Sequence, residues 1–281
     1  MADNHSSETP VHEVAARRVY FVSDHTGVTA EVLGHSLLAR FDNLDIDTGT
    51  RPFVNTAERA EALVQEFESL AIPPIVFSTI TDPELRSIIS SRAEVHLDLF
   101  EPFMTKLEQV FGRQAASRVG AAHGIRDLAR YQARIDAVEF ALTTDDGSNT
   151  KRYGNSEVIM VGVSRVGKSP TCLYLAMQYG VRASNYPLAE DDFERSGLPA
   201  PLAPYRAKLF GLTIDPRRLQ DLRAKRSPGT TYASPERCEY EVSKAQRLLR
   251  RHNVPFLDVT NVSVEELASQ VLLRADLARH R

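Results

Sequence analysis

The chain has 281 residues, of which 34 are Lys or Arg and 37 are Asp or Glu, so its formal net charge is −3. This length allows one large domain or two small ones with a real hydrophobic core, and the absence of a basic surplus argues against a dedicated nucleic-acid binder. The charge is uneven, because residues 157–281 hold 19 Lys+Arg against 14 Asp+Glu. The C-terminal half is therefore the better candidate for binding an anion.

The sequence contains no recognisable disulfide framework, membrane span or export signal. Cys172 and Cys238 are the only cysteines, which favours a reducing compartment. The most apolar stretch, Leu70–Thr81, contains two prolines and is too short to span a bilayer. Residues 1–16 are polar and lack the apolar core of a signal peptide. We therefore expect a cytoplasmic protein with a disordered tail over residues 1–16 and no membrane partner.

The N-terminal half alternates between short β-branched or aromatic runs and segments with helical spacing of apolar residues. The predicted strands are Val19–Ser23, Ile46–Val54, Pro74–Thr79 and Val95–Phe100. The predicted helices are Thr29–Phe41, Ala57–Leu70 and Asp82–Ser90. Thr56 is the expected N-cap of the second helix, and Thr81 with Glu84 has the spacing of a capping box. This alternation implies a parallel sheet, so residues 17–145 are expected to form a Rossmann-like α/β domain that ends in a mostly helical stretch over residues 102–142.

A polar, glycine-containing segment, Thr143–Ser156, is the predicted linker to a second α/β domain over residues 146–281. The predicted strands of this domain are Glu157–Val163, Val181–Tyr186, Lys208–Ile214 and Val254–Val259. Its predicted helices are Lys168–Tyr179, Asp215–Lys225, Pro235–Arg251 and a closing helix that begins at Ser263. The same alternation predicts a second parallel sheet, in a domain of the P-loop kinase type.

One motif carries chemistry by itself, and we call it the phosphate loop. Residues Gly162–Ser169 read GVSRVGKS, which matches G-x-x-x-x-G-K-[ST] at every fixed position, between a predicted strand and a predicted helix. Such loops wind tightly so that backbone N–H groups point at phosphate oxygens, and the following helix dipole adds positive potential. We expect Lys168 to reach the outer phosphates and Ser169 to ligate Mg²⁺. The predicted nucleotide-binding residues are Gly162, Val163, Ser164, Arg165, Val166, Gly167, Lys168 and Ser169. The alternative is an ordinary glycine-rich turn.

Other candidate residues have a structural interpretation beside the functional one. Arg165 either acts on phosphate as a catalytic residue or is solvated. The functional interpretation of Asp215 is that it supports Mg²⁺ or activates a hydroxyl group. The structural interpretation is that it is a helix N-cap. Asp191 and Asp192 either lie on the acceptor side of the reaction or belong to a solvated loop. The basic residues Arg217, Arg218, Arg223, Lys225 and Arg226 form either a lid over the transferring phosphate or a solvated helix face.

Several segments together form a family signature. They are Ser23-Asp24, Thr26-Gly27, Thr29-Ala30-Glu31, Ala122-His123-Gly124, Tyr131, Arg134, Ile135, Asp145-Asp146-Gly147, Val163–Ala176, Asn185-Tyr186-Pro187 and Lys208–Pro216. A phosphate loop that continues into S-P-T-x-L-Y-L-A, with K-L-F-G-L-T-I-D-P downstream, is far more specific than a phosphate loop alone. In these segments the chain resembles the bacterial regulatory proteins of phosphoenolpyruvate synthase and of pyruvate, phosphate dikinase. It departs from them at His25, where the family usually has a small residue.

The resemblance implies a bifunctional serine/threonine kinase and pyrophosphorylase. Such an enzyme would phosphorylate a threonine of its target with ADP as donor, inactivating the target, and would remove that phosphate with inorganic phosphate, releasing pyrophosphate. The A-x-N-Y-P segment and the end of the chain resemble the synthase type, so phosphoenolpyruvate synthase is the expected partner and the dikinase is the alternative. A homodimer is the candidate assembly. A P-loop kinase for a small metabolite and a nucleotide-sensing regulator without chemistry are the other hypotheses.

Overall fold

A computed structural model of the chain describes residues 16–115, 128–194 and 197–277. The chain divides into two units, Met1–Gly124 and Ile125–Arg281. Residues 1–15 of the expected tail and the Ala122-His123-Gly124 segment lie outside the described residues. Within the described residues, no helix combines the length and the apolar character needed to cross a membrane.

The first unit alternates strands and helices along its described residues. Its strands are β1 (Arg17–Val22), β2 (Ile46–Arg51), β3 (Ile75–Ser78) and β4 (Val95–Asp98). Its helices are α1 (Val28–Leu38), α2 (Ala57–Glu68), α3 (Pro83–Ser90) and α4 (Glu101–Phe111). All of these strands pair in parallel, in the order β2-β1-β3-β4. Parallel strands need covering helices on both faces, and the helices between consecutive strands provide them.

Local signals set the beginning of α2 and α3, with one difference from the prediction. The Thr56 side chain accepts a hydrogen bond from Arg59 N–H and caps α2 as predicted. The cap of α3, however, is Asp82, whose side chain accepts from Glu84 N–H. The predicted cap Thr81 instead donates through its backbone N–H and its hydroxyl to Asp24 Oδ2, at 2.9 Å and 2.8 Å. A tertiary acceptor in the loop after β1 therefore outcompetes the local capping box.

The second unit contains the phosphate loop. Its strands are β5 (Val158–Gly162), β6 (Ala183–Pro187), β7 (Leu209–Thr213) and β8 (Phe256–Asp258). Its helices are α5 (Leu128–Thr143), α6 (Lys168–Tyr179), α7 (Glu190–Glu194), α8 (Pro216–Arg226), α9 (Pro235–Arg251) and α10 (Val264–Arg274). The sheet of the described residues is again parallel, in the order β6-β5-β7-β8. The predicted fold class, α/β with a parallel sheet in each half, is confirmed.

The predicted linker is an ordered part of the second unit. The segment Thr143–Ser156 folds into short 3-10 turns, in which the Tyr153 side chain is fully buried. The Tyr153 hydroxyl donates to the Asn185 carbonyl oxygen at 2.8 Å, which ties the segment to β6. The second unit begins before the boundary expected between residues 145 and 146, because α5 packs on α6.

Candidate active site

The phosphate loop leaves the sheet at the point where the strand order reverses. Every residue of β5 is buried, and β5 pairs with β6 on one side and β7 on the other. Open α/β sheets bind ligands at this topological switch point, beyond the carboxyl ends of the strands. Gly167 is the N-cap of α6 in the left-handed conformation, with φ +88°. The structure therefore has the strand–loop–helix context that the motif predicts.

Consecutive amides of the loop are free to bind an anion. Within the described part of the chain, the backbone N–H groups of Arg165, Val166 and Gly167 make no hydrogen bond of ordinary geometry to another backbone group. Arg165 has φ +79°, so left-handed residues stand on both sides of Val166. Successive amides in such turns form anion-binding concavities. We call these three amides, together with the Lys168 ammonium group, the phosphate cradle.

Lys168 lies inside the loop rather than on its surface. Its side chain is 4% exposed, and its Nζ donates to the Val163 carbonyl oxygen at 2.9 Å. Burial lowers the pKa of Lys168 to about 8, although the nearby carboxylates of Asp146 and Asp145 oppose that shift. The cation is thus enclosed within the loop, in surroundings that disfavour its charge.

Ser169, the second residue of α6, meets a carboxylate that the sequence did not single out as a site residue. The Ser169 hydroxyl donates to Asp145 Oδ1 at 2.6 Å, and Asn185 Nδ2 donates to the same oxygen at 2.5 Å. Asn185 Oδ1 in turn accepts from the backbone N–H of Asp146 at 3.1 Å. Asp146 is a left-handed residue, with φ +47°. The end of β6 therefore fixes the Asp145-Asp146 turn against the start of α6.

A family model described as kinase/pyrophosphorylase matches residues 19–272 of the chain. That range includes the phosphate loop, Asp145 and Asn185. The chain belongs to the kinase/pyrophosphorylase family. Membership in this family supports a kinase or phosphotransferase activity, and it confirms the resemblance that the sequence motifs indicate.

Similar proteins cover nearly the whole chain. A protein of Pseudomonas savastanoi pv. phaseolicola is 46% identical over 94% of this chain and 98% of its own length. A protein of Halorhodospira halophila is 47% identical over the same shares, and one of Deinococcus radiodurans is 49% identical over 91% of this chain and 94% of its own. All three are assigned by name as phosphoenolpyruvate synthase regulatory proteins. Among solved structures, a LacI transcriptional regulator from Lactobacillus brevis matches 86% of this chain and 98% of its own chain. Its TM-score of 0.20 and its identity of 9% are too low to show a shared fold.

The structure places Asp215 at a helix N-terminus. Its carboxylate accepts from the backbone N–H groups of Arg217 and Arg218 at 2.9 Å and 3.1 Å, and its own N–H donates to Thr260 Oγ1 at 2.8 Å. These are the bonds of an N-cap, the structural alternative that the sequence left open. A catalytic role for Asp215 within the kinase/pyrophosphorylase family remains a prediction.

The remaining candidates divide between the surface and the interior. Arg165 is exposed at the loop, and its action on phosphate remains a prediction. Asp191 is exposed, whereas Asp192 is buried and accepts from the Ala189 N–H at 3.0 Å. The exposed members of the basic cluster are Arg217, Arg218, Lys225 and Arg226. Arg223 is 0% exposed, so it is not available to the lid that the sequence suggested as one alternative.

The predicted binding of ADP to the phosphate loop should weaken as the pH rises above 8. Bound phosphate stabilises the charged ammonium group of Lys168, whose pKa in the free protein is about 8. Binding therefore takes up a proton above that pH, and the affinity should drop about tenfold between pH 7 and pH 9. Isothermal titration calorimetry at several pH values measures this slope. Lys168→Met keeps the apolar stem of the side chain without its charge. The variant should bind ADP more weakly, and its affinity should not change between pH 7 and pH 9.

Gly162 and Gly167 are expected to respond differently to an added Cβ. A Cβ on Gly162 would lie 2.5 Å from the Leu212 carbonyl oxygen, in the backbone of β7. A Cβ on Gly167 would meet no atom of the described chain within 4 Å, but the residue would keep φ +88°. We expect Gly162→Ala to lower the free energy of unfolding by about 3 kcal/mol and Gly167→Ala by about 1 kcal/mol. Urea unfolding measures both, and equal losses would contradict the close approach of β5 to β7.

Proposed function

We propose that this protein is a bifunctional regulator of phosphoenolpyruvate synthase. In one direction it phosphorylates a threonine of the synthase with ADP, and in the other it removes that phosphate with inorganic phosphate. The observation that carries the proposal is the buried Lys168 inside a phosphate loop, in a chain of the kinase/pyrophosphorylase family. The names of the three relatives support the choice of target. The donor and the threonine acceptor are those that the motif resemblance implies.

In the forward direction, the hydroxyl oxygen of the target threonine attacks the β-phosphorus of ADP. The new oxygen–phosphorus bond forms as the bond from the β-phosphorus to the bridging oxygen breaks, so AMP leaves. The proton of the hydroxyl group passes to a carboxylate of the Asp145-Asp146 pair. We assign the transferring phosphoryl group to the phosphate cradle, where the Lys168 ammonium group neutralises the charge that develops on its oxygens.

In the reverse direction, an oxygen of inorganic phosphate attacks the phosphorus of the phosphothreonine. The bond from phosphorus to the threonine oxygen breaks, pyrophosphate leaves, and the proton of the attacking hydrogen phosphate passes to the threonine oxygen. Two phosphate groups repel each other, so the attacking anion must be positioned and partly neutralised before reaction. We assign it to the same phosphate cradle, and we therefore expect ADP and inorganic phosphate to compete for one site.

The Ser169–Asp145 pair fits Mg²⁺. A hydroxyl and a carboxylate oxygen 2.6 Å apart are hard donors, and Mg²⁺ is held in phosphotransferases by one or two such protein ligands with phosphate oxygens and water. Within the described residues, no group of three or more His, Cys, Asp or Glu side chains could hold a metal ion. Bound Mg²⁺ would neutralise charge on the phosphates, and Asn185 would keep Asp145 turned toward Ser169.

The proposal is tested with the purified chain, purified phosphoenolpyruvate synthase, ADP and Mg²⁺. Mass spectrometry should find one phosphothreonine on the synthase with release of AMP, and later addition of inorganic phosphate should remove it with release of pyrophosphate. A parallel reaction with pyruvate, phosphate dikinase checks the target. Phosphorylation of the dikinase alone would contradict the choice of synthase. ADP binding without turnover, or nucleotide consumption with a small metabolite only, would contradict the protein-kinase activity.

A further inference from the structure

Arg223, on α8, is enclosed against the phosphate loop. Its side chain is 0% exposed, and its guanidinium carbon lies 4.1 Å from the centroid of the Tyr232 ring. Nη1 donates to the Tyr232 carbonyl oxygen at 3.1 Å. Nη2 donates to Glu241 Oε2 at 2.7 Å and to the Ser164 carbonyl oxygen at 3.3 Å. One buried cation thus joins α8, the turn at Thr231–Ala233, α9 and the loop.

Ser164, the third residue of the loop, is held on two sides. Arg223 holds its carbonyl oxygen, and the Tyr232 hydroxyl donates to its Oγ at 2.9 Å. In a planar trans peptide the C=O and N–H groups point in opposite directions. Turning the Ser164 carbonyl toward Arg223 therefore turns the Arg165 N–H away from it, into the phosphate cradle. Arg165 is left-handed, with φ +79°, a conformation that persists only where its surroundings hold it.

Stability alone is a poor explanation for this arrangement. Enclosing an ion pair costs desolvation that its attraction often fails to repay, and the buried Arg223 Nε donates to no acceptor within the described residues. Glu241 Oε2 accepts from Arg223 and Oε1 accepts from Arg237 Nε at 2.5 Å. Arg237 also pairs with Glu190 at 2.9 Å, so the two cations meet two carboxylates. The planar guanidinium group of Arg223 donates hydrogen bonds to Ser164, Tyr232 and Glu241 at the same time. The point charge of lysine does not reproduce that geometry.

We propose that Arg223 is a positioning residue for the phosphate loop. It fixes the Ser164–Arg165 peptide so that the Arg165 N–H faces an incoming phosphate group. The proposal rests on the proposed function only where it names ADP as the ligand. Without the fork of Arg223, this peptide samples both orientations and only one of them binds phosphate. The apparent affinity for phosphate then falls in proportion to the fraction of molecules whose Ser164–Arg165 peptide has the competent orientation. The bound complex keeps its geometry.

The test is Arg223→Lys in the full chain. We expect the KM and Kd for ADP, and the Kd for pyrophosphate, to rise about tenfold, while kcat at saturating ADP stays within about threefold. Proton–nitrogen NMR should show a shift of the Arg165 amide when wild-type protein binds pyrophosphate, and the variant should reach the same shift at higher ligand concentration. Arg247→Lys alters an exposed arginine of α9 and should change none of these values.

Two results would overturn the positioning role. One is a folded Arg223→Lys variant with an unchanged KM, and the other is a loss of kcat at constant KM, as a smaller active fraction would give. If circular dichroism shows that this variant does not fold, Glu241→Gln decides the question. It keeps Arg223 but removes the charge that orients its fork, so it should raise KM at constant kcat, and an unchanged KM would count equally against the role.

The binding data also separate this inference from the proposed function. Wild-type protein that binds pyrophosphate but not ADP would contradict the proposed donor. Arg223 would then be judged on the pyrophosphate Kd and the Arg165 amide shift. Conversely, phosphothreonine formation by the wild type with an unchanged Arg223→Lys variant would remove the positioning role and leave the proposed function standing.

Discussion

Lys168→Ala is expected to slow both phosphoryl-transfer reactions together. The Lys168 Nζ is buried in the loop and bonded to the Val163 carbonyl oxygen, within the phosphate cradle to which the transferring group is assigned. Losing one such group from a water-poor phosphate site costs about 3 kcal/mol of transition-state stabilisation, or about a hundredfold in rate. Rates of phosphothreonine formation and of pyrophosphate release, measured on one preparation, should fall in parallel.

Parallel loss is expected because both directions are assigned to one cradle. Lys151→Ala, which removes an exposed lysine of the same unit, is the matched control and should leave both rates unchanged. In the reverse reaction, ADP should inhibit competitively against inorganic phosphate. A Lys168→Ala variant that loses kinase activity but still releases pyrophosphate would show that a second phosphate site exists.

Asp145→Asn should collapse phosphoryl transfer and leave metal-free ADP binding within a few-fold of the wild type. The substitution keeps the shape of the side chain but removes the charge that faces the Ser169 hydroxyl. A metal ligand or proton acceptor at this position contributes only as charge moves during transfer. We expect kcat to fall at least about a hundredfold, and raising the Mg²⁺ concentration should recover part of it if Asp145 holds the ion.

Asp215→Ala separates capping from catalysis. Asp215 accepts from two backbone N–H groups at the start of α8, and removing such a cap costs about 1 kcal/mol. The melting temperature should therefore fall while kcat holds. The opposite pattern, with full rate in Asp145→Asn and loss of rate in Asp215→Ala, would contradict this assignment. The catalytic carboxylate would then be Asp215, as the sequence suggested.

The fold and the loop were predictable because their signals are local. The run Val158–Gly162 is apolar enough to be buried on both faces, as a central parallel strand requires. The phosphate-loop motif fixes its residue types at adjacent positions, so its strand and helix context follows from a short window of sequence. The Thr56 cap is also local, since its acceptor and donor are three residues apart.

The carboxylate partner of the loop could not be found in that way. Asp145 is 24 residues from Ser169 and is oriented by Asn185, which is 40 residues away, so only the folded sheet brings the three together. Arg223 lies four residues after the buried Leu219 of α8 and therefore on the same helix face, but arginine is seldom fully buried, so this spacing alone does not predict its burial. Its burial depends on Glu241 of α9, and no local pattern shows that this pairing forms.

The strand order has a consequence for the way the chain is made. Every strand pair in the described residues joins strands of one unit, and both sheets have the same winding, with the second strand beside the first and the third on its other side. Parallel sheets form slowly because their contacts are distant along the chain. During vectorial synthesis the first sheet has all of its strands outside the ribosome before the phosphate loop is translated. Two slow assembly steps are thereby separated in time during synthesis.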